Sequence, residues 1–185
     1  MPAPWRRLRS AVLFEHLPWL RLREDAVELP TGAVLDPYYV LEYSDWACVV
    51  PVTEAREVVM VEQWRHAVGR ASLEFPAGAL DPGEEPEPAA RRELREEAGV
   101  VAGALKPLAT LATEPARHTN WAHLFLARDA RIVGDPTPDA NEDLRTRTAR
   151  LDELPDLLAS GRICHGIHAA AALLALRALD APAGA

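Results

Sequence analysis

The sequence predicts an α/β fold: an α/β/α sandwich on a mixed sheet, preceded by an N-terminal β arm. Three observations point there. Short β-rich runs are punctuated by Pro and Gly turns, a charged segment near the middle carries helix signals at both ends, and an Ala- and Leu-rich segment further on has the composition of a helix that packs on a sheet. With 49% hydrophobic and 26% charged residues, the 185-residue chain has material for one compact core and a charged surface. The balance of 20 Lys and Arg against 28 Asp and Glu leaves a formal charge of −8. Such a surface does not attract phosphate backbones or anionic lipid in general. Neither nucleic acid nor membrane is therefore expected as a partner, and an anionic ligand requires a local device.

Residues 12–29 read as extended, and Pro30-Thr31-Gly32 marks a turn before the run from Tyr38 to Tyr43. Residues 1–44 are expected to form a hairpin or arm ahead of a main domain over 45–185. Trp46 to Val52 and Val58 to Trp64 are β-rich runs separated by a polar stretch, which predicts a central hairpin buried on both faces. Ser72 to Phe75 is a short strand ended by Pro76, and Gly78, Pro82 and Gly83 predict a loop. A helix follows over 89–98, with Pro86 or Pro88 acceptable in its first turn and Gly99 where a left-handed cap belongs. Further strands are predicted at 107–112, 122–127 and 144–151, and helices at 154–159 and 167–179. Cys48 and Cys164 lack metal-ligand spacing and are expected to be buried or inert thiols. Glu15 and His16 interrupt the basic start before the apolar core of an export signal is reached. The longest apolar stretch, 169–176, falls far short of the roughly 20 residues that a membrane-spanning helix needs. A reducing cytoplasm is the expected location.

Gly78 to Val100, GALDPGEEPEPAARRELREEAGV, carries the most chemistry. On a helix Glu93 and Glu97 are i,i+4 neighbours, and Glu96 lies within the same sector of about 100°. Like charges at this spacing are mildly destabilising, which a hard divalent cation with a preference for oxygen, Mg²⁺ or Mn²⁺, would relieve. The spacing alone also fits a solvated face on which Arg92 pairs with Glu96 at i,i+4 while Arg91 and Arg95 add counter-charge. The neighbourhood favours a site. A strand, the EFPAG turn and a loop carrying Glu84 feed straight into the helix, and the carbonyl of Ala77 could face the same cation.

This segment resembles the Nudix box, in which Gly is followed after five residues by Glu. After seven more come Arg-Glu, an apolar residue, any residue, Glu-Glu, any residue, Gly and an apolar residue. Gly78, Glu84, Arg92, Glu93, Leu94, Glu96, Glu97, Gly99 and Val100 meet every specified position of this 23-residue pattern. The resemblance implies a hydrolase on an α/β/α sandwich that cleaves a nucleoside diphosphate linked to a further moiety. It implies Mg²⁺ or Mn²⁺ held by Glu93, Glu96, Glu97 and the carbonyl of Ala77, with Arg92 and Glu84 orienting helix and loop. The ions would hold diphosphate oxygens, offset charge developing at phosphorus, and activate or position the attacking water.

Outside that segment, QWR at 63–65 and LEFPAG at 73–78 resemble the ADP-ribose and nucleotide-sugar pyrophosphatase branch. The likeness implies Arg65 on substrate phosphate or ribose through its planar donors, and Glu74 near the metals or the substrate; a surface charge at a strand end is the plainer reading of Arg65. The N-terminal arm is also similar to that branch, where such an arm helps to form a homodimer and part of the substrate pocket. Trp46 or Tyr39 is then a candidate to stack on a base across the interface, with core packing as the alternative. Glu142, in the acidic loop 139–143, is a candidate general base or further metal ligand, with Glu114 behind it and a plain solvated loop as the alternative. Pro115 lies where ADP-ribose-preferring relatives often have a proline, but the surrounding EPARHTNWAH differs from their turn, so substrate choice stays open. His118 and His123 fit a polar loop and an alternating strand. The expected reaction converts ADP-ribose, or a related nucleoside diphosphate sugar, to a nucleoside monophosphate and a sugar phosphate. Hydrolysis of dinucleoside polyphosphates, coenzyme A or oxidised nucleotides is the enzymatic alternative. Nucleotide sensing without turnover is the alternative from another class, and the complete carboxylate set argues against it.

Overall fold

The computed structural model describes residues 1–137, 139 and 142–180. They fall into two compact units, one formed by residues 1–45 with 112–121 and the other by the rest. The first unit is an antiparallel sheet of β1 (Arg6–His16), β2 (Leu20–Glu28) and β3 (Val34–Glu42), in that order. Cross-strand pairs of opposite charge run over it: Arg9 with Glu24 and Asp36, Arg21 with Glu15 and Glu42. The stretch expected to be extended over 12–29 is therefore two strands. The break falls at Pro18, which has no amide to give a ladder, and the amide of Trp19 bonds back to the carbonyl of His16 at 2.9 Å.

The remaining elements are β4 (Trp46–Pro51), β5 (Glu57–Arg65), β6 (Arg70–Glu74), β7 (Ala77–Ala79), α1 (Pro86–Ala98), β8 (Val100–Val101), β9 (Leu105–Ala112), β10 (Trp121–Ala127), β11 (Arg131–Ile132), β12 (Leu144–Arg150), α2 (Leu154–Ala159) and α3 (Gly166–Asp180). Among the described residues, β7-β4-β10-β9 form a mixed sheet in which β4 runs parallel to β10 and antiparallel to β7. A second, antiparallel sheet has the order β12-β5-β6, and β11 pairs with β8. Alternation along β4 divides the core. Cys48, Val50 and Val52 pack with Ala171, Ala172 and Ala175 of α3, whereas Ala47 and Val49 pack with Ala89, Ala90, Leu94 and Ala98 of α1. Leu124 and Leu126 of β10 follow the first set, Phe125 and Ala127 the second. A strand buried on both faces reads as a continuous apolar run, and this is the α/β/α sandwich that the sequence predicts.

Two expectations are corrected. The turn over 53–57 does fold back, with the amide of Thr53 on the carbonyl of Glu57 at 2.9 Å and a bridge from Val52 to Val58. Pairing stops there, however, and β4 and β5 enter different sheets, because the edges of β4 are taken by β7 and β10 and those of β5 by β6 and β12. The segment after Pro76 is not all loop either: Ala77–Ala79 adds to β4 as β7, with Ala77 opposite Cys48. Both cysteines are free, Cys48 buried and Cys164 exposed.

Candidate active site

Helix α1 shows why the carboxylates stand where they do. Its buried residues are Ala89, Ala90, Glu93, Leu94, Glu97 and Ala98, a stripe repeating every four positions, so the face that packs the helix carries two glutamates at its edge. Glu93 is 6% and Glu97 3% exposed, while Glu96 is half-buried. Gly99 ends the helix at φ 63° with its amide bonded to the carbonyl of Arg95 at 2.9 Å. A Cβ there would also lie 2.1 Å from the carbonyl oxygen of Gly134, so the position excludes side chains twice over.

β7 supplies the wall that faces the helix. The amide of Ala77 donates to Glu97 Oε2 at 2.8 Å, and Gly78 lies so close to Glu93 that a Cβ would stand 2.1 Å from its Oε1. Arg92 ties the assembly together. Its Nε and Nη2 donate to the two oxygens of Glu84 at 3.1 and 2.9 Å, and Nη2 also donates to the carbonyl of Ala79 at 3.1 Å. Its Nη1 reaches Glu93 Oε1 at 2.6 Å and Glu96 Oε2 at 3.2 Å. Glu84 accepts a further bond from the amide of Asp81 at 3.0 Å, closing the loop ahead of the helix. The expected Arg92–Glu84 pair is present, and so is the Arg92–Glu96 pair of the solvated-face reading.

Burial pushes the Glu97 carboxyl up to about 8, and the charges of Glu93 and Glu142 push in the same direction against the Ala77 amide. Burial, Glu96 and Glu142 likewise raise Glu93 against the pull of Arg92. Among the described residues no three His, Cys, Asp or Glu side chains stand in ion-binding geometry. Arg92 draws Glu93 and Glu96 to itself, while the Ala77 amide holds Glu97. The charge of Glu142 is felt at both Glu93 and Glu97, and its Oε2 accepts the amide of Asp139 at 2.9 Å. Of the acidic loop expected over 139–143, residues 140 and 141 lie outside the described residues. The approach to that loop is fastened to α1, the Val133 amide to the Gly99 carbonyl at 2.8 Å and the Thr137 amide to the Glu96 carbonyl at 2.7 Å.

Arg65, at the end of β5, grips Glu74 with two bonds of 2.9 and 2.5 Å. Glu74 itself is 0% exposed, so it lies behind Arg65 rather than at a surface where a substrate could touch it. Burial opposes its ionisation, but Arg65's hydrogen bonds and charge outweigh that and hold it below the usual carboxylate range. Trp46 packs edge-on to His165 at 5.6 Å and tilted to His168 at 5.6 Å, which favours the core-packing reading of this residue. Tyr39 is exposed in the first unit. There, Glu114 bonds the Ala116 amide at 3.3 Å and His118 packs on Tyr43 at 5.0 Å. His123 stands 3.2 Å from Thr110 Oγ1. Sequence reasoning missed His165 and His168. The available signal was CHGIH at the entry to the Ala-rich helix, where histidines three apart share a face.

A helix edged with buried carboxylates, faced by a glycine-bearing strand and clamped by an arginine, defines a class of hydrolase. Residues 44–165 match the NUDIX domain model, and residues 5–41 match that of the nucleoside diphosphate sugar hydrolase N-terminal domain. The chain belongs to the Nudix family. It is 34% identical over 160 residues to an ADP-ribose pyrophosphatase of Mycobacterium tuberculosis, covering 85% of this chain and 76% of that one. It is 31% identical over 138 residues to an ADP-ribose pyrophosphatase of Bacillus subtilis, covering 74% of each. A crystal structure of an ADP compounds hydrolase has the same fold, with a TM-score of 0.83 over 97% of this chain and 96% of that one at 21% identity. Membership implies a divalent metal, and the donor set fits one. Its oxygens are hard, and Glu97 is a buried carboxylate with like charges around it and a single amide donor, the electrostatic setting that a cation would relieve.

Proposed function

We propose that the protein is a divalent-metal pyrophosphohydrolase that converts ADP-ribose, or a closely related nucleoside diphosphate sugar, to a nucleoside monophosphate and a sugar phosphate. The observation that carries this reading is the buried Glu93–Glu97 pair on α1, backed by Gly78 and the Ala77 amide within a complete 23-residue pattern. The names of the curated relatives and the match of residues 5–41 support the choice of substrate class. Glu93, Glu96, Glu97 and the Ala77 carbonyl would hold Mg²⁺ or Mn²⁺, which when bound would supply positive charge at the diphosphate. Arg92 would then give up Glu93 and Glu96 while keeping Glu84 and the Ala79 carbonyl. Arg65, half exposed and anchored on Glu74, presents its free edge to a phosphate or ribose, and Glu142 takes the proton of the attacking water.

The test is a panel of ADP-ribose, nucleotide sugars, dinucleoside polyphosphates and coenzyme A, with Mg²⁺ or Mn²⁺, read by monophosphate release. Fastest release from ADP-ribose or a nucleotide sugar is expected; binding without release, or preference for another class, overturns the reading.

We also propose that residues 1–44 form a dimerising arm ahead of a catalytic domain over 45–185. Leu8, Val12, Leu13, Phe14 and Trp19 are between 44% and 69% exposed, an apolar load that a partner sheet would cover. Replacing Leu13 and Phe14 together by Glu is expected to shift the mass seen by light scattering from dimer to monomer. A wild-type monomer removes this part. The exposed thiol of Cys164 supports a reducing, cytoplasmic location.

A further inference from the structure

The ladder between β5 and β6 ends at the Val61–Glu74 pair, and the ladder between β4 and β7 begins at Cys48–Ala77. Phe75 and Pro76 are the crossing between the two sheets. Pro76 has no amide, and its carbonyl accepts from Val49 at 3.0 Å. Phe75 is 1% exposed, so its amide cannot turn to water and must find an acceptor inside. That acceptor is not backbone. It is Nδ1 of His168, 3.1 Å away, on the first turn of α3 and itself 1% exposed.

The geometry fixes the state of the ring. A backbone amide only donates, so Nδ1 is the unprotonated nitrogen and the hydrogen sits on Nε2, which faces Glu74 Oε2 at 3.3 Å. Glu74 in turn is held by Arg65, and the Cys48 thiol approaches Nδ1 at 3.7 Å. Two residues beyond Phe75 stands Ala77, whose amide holds Glu97. Resting on the metal-site reading above, we infer that His168 is a positioning residue for that site. By accepting the Phe75 amide it fixes the crossing between the sheets, and with it the Ala77 amide that orients Glu97. α3, otherwise a packing helix of Ala and Leu, thus sets the wall opposite α1.

Two substitutions separate this role from packing. In His168→Asn the side-chain oxygen takes the place of Nδ1 and can still accept from Phe75; in His168→Gln the amide reaches the place of Nε2 and leaves the Phe75 amide bare. Binding of Mn²⁺ alone, followed by the paramagnetic signal of the free ion, is expected to stay within about threefold of wild type in His168→Asn and to weaken by about tenfold or more in His168→Gln. Deuterium exchange at the Phe75 amide should accelerate in His168→Gln and not in His168→Asn. Equal Mn²⁺ affinity in both variants and wild type, or losses that follow melting temperature alike in both, overturns the inference.

Glu97→Gln separates the two readings. If it releases Mn²⁺ and His168→Gln does not, only the inference fails. If it binds Mn²⁺ like wild type, or if wild type takes up none, the metal-site reading fails and the inference with it. The nitrogen spectrum of the wild-type protein needs no variant to fold: His168 Nδ1 must be the bare nitrogen, coupled through the hydrogen bond to the Phe75 amide. A hydrogen on Nδ1 refutes the proposal.

Discussion

Substitution of Gly78 by Ala separates activity from stability. Gly78 is not in the left-handed region, so alanine meets no backbone strain there. Its Cβ would meet Glu93 instead, at 2.1 Å from Oε1, 2.3 Å from Cδ and 2.7 Å from Oε2, where ordinary contact begins at 3.4 Å. Glu93 Oε1 must retreat by about 1.3 Å, and it gives way because it is the far end of a flexible side chain. Retreat disturbs the bond from Arg92, now 2.6 Å in a partly buried setting, and forces an imperfect rotamer; the two together cost about 1–2 kcal/mol. A metal ligand displaced by about 1 Å costs about 100-fold in turnover, close to 2.7 kcal/mol of barrier. Turnover should therefore collapse while the fold persists. The assay is monophosphate release from ADP-ribose with Mg²⁺, beside denaturant unfolding of the metal-free protein. Gly103→Ala, with nothing within 4 Å of its added carbon and no positive φ, is the neutral control. Turnover of Gly78→Ala within threefold of wild type, or a stability loss large enough to account for the whole effect, refutes the reasoning.

Glu97→Gln should cut kcat by orders of magnitude and leave the metal-free melting temperature equal or higher, since a neutral amide replaces a group whose ionised form burial opposes; a normal kcat removes the metal assignment. Arg92→Lys cannot reproduce the fork on Glu84, so a double-mutant cycle with Glu84→Gln should give a coupling of about 1 kcal/mol by chemical denaturation, and additivity would deny that the pair clamps the loop. Burial pushes the His168 imidazole down to about 3 from 6.5. Because the unfolded chain takes up that proton first, the stability that His168 contributes is full above pH 6.5 and falls toward pH 3, by about 1.4 kcal/mol per pH unit at most. Just below pH 6.5, His168→Asn should lose less stability with falling pH than wild type, and an identical fall refutes this.

The sequence revealed most where one residue type answers one local demand. Gly99 marked the end of α1, while its start lies at Pro86, three residues ahead of the expected 89–98, and the apolar run of β4 was plain because both of its faces are buried. Pairing was less legible. Val52 and Val58 do meet across the turn, but whether two strands stay together depends on what fills their other edges, and β10, β7, β12 and β6 lie far off in sequence. The glutamates of α1 were readable as a set, but their orientation was not, since Arg92 is one residue from Glu93 and serves four partners at once. His168 was illegible for a related reason: its partner is a backbone amide 93 residues away, and an amide has no letter in the sequence.

If the proposed metal site is right, the two readings of α1, an ion-binding face and a solvated face of paired charges, describe one arrangement under two conditions. Carboxylates placed beside a core must be compensated whether or not a cation is bound. Without one, Arg92 neutralises Glu93 and Glu96, while Glu97 leans on the Ala77 amide and resists ionisation. Arg92 can release Glu93 and Glu96 without becoming an unpaired charge, because Glu84 and the Ala79 carbonyl hold it from the other side. A cation therefore has to displace only part of the Arg92 network, and the helix stays anchored to its loop throughout. A lysine at this position, with one compact ammonium, would have to choose between Glu84 and the carboxylates. On the proposed metal-site reading, the forked guanidinium would let the same residues be a stable surface when free of metal and a ligand set when loaded.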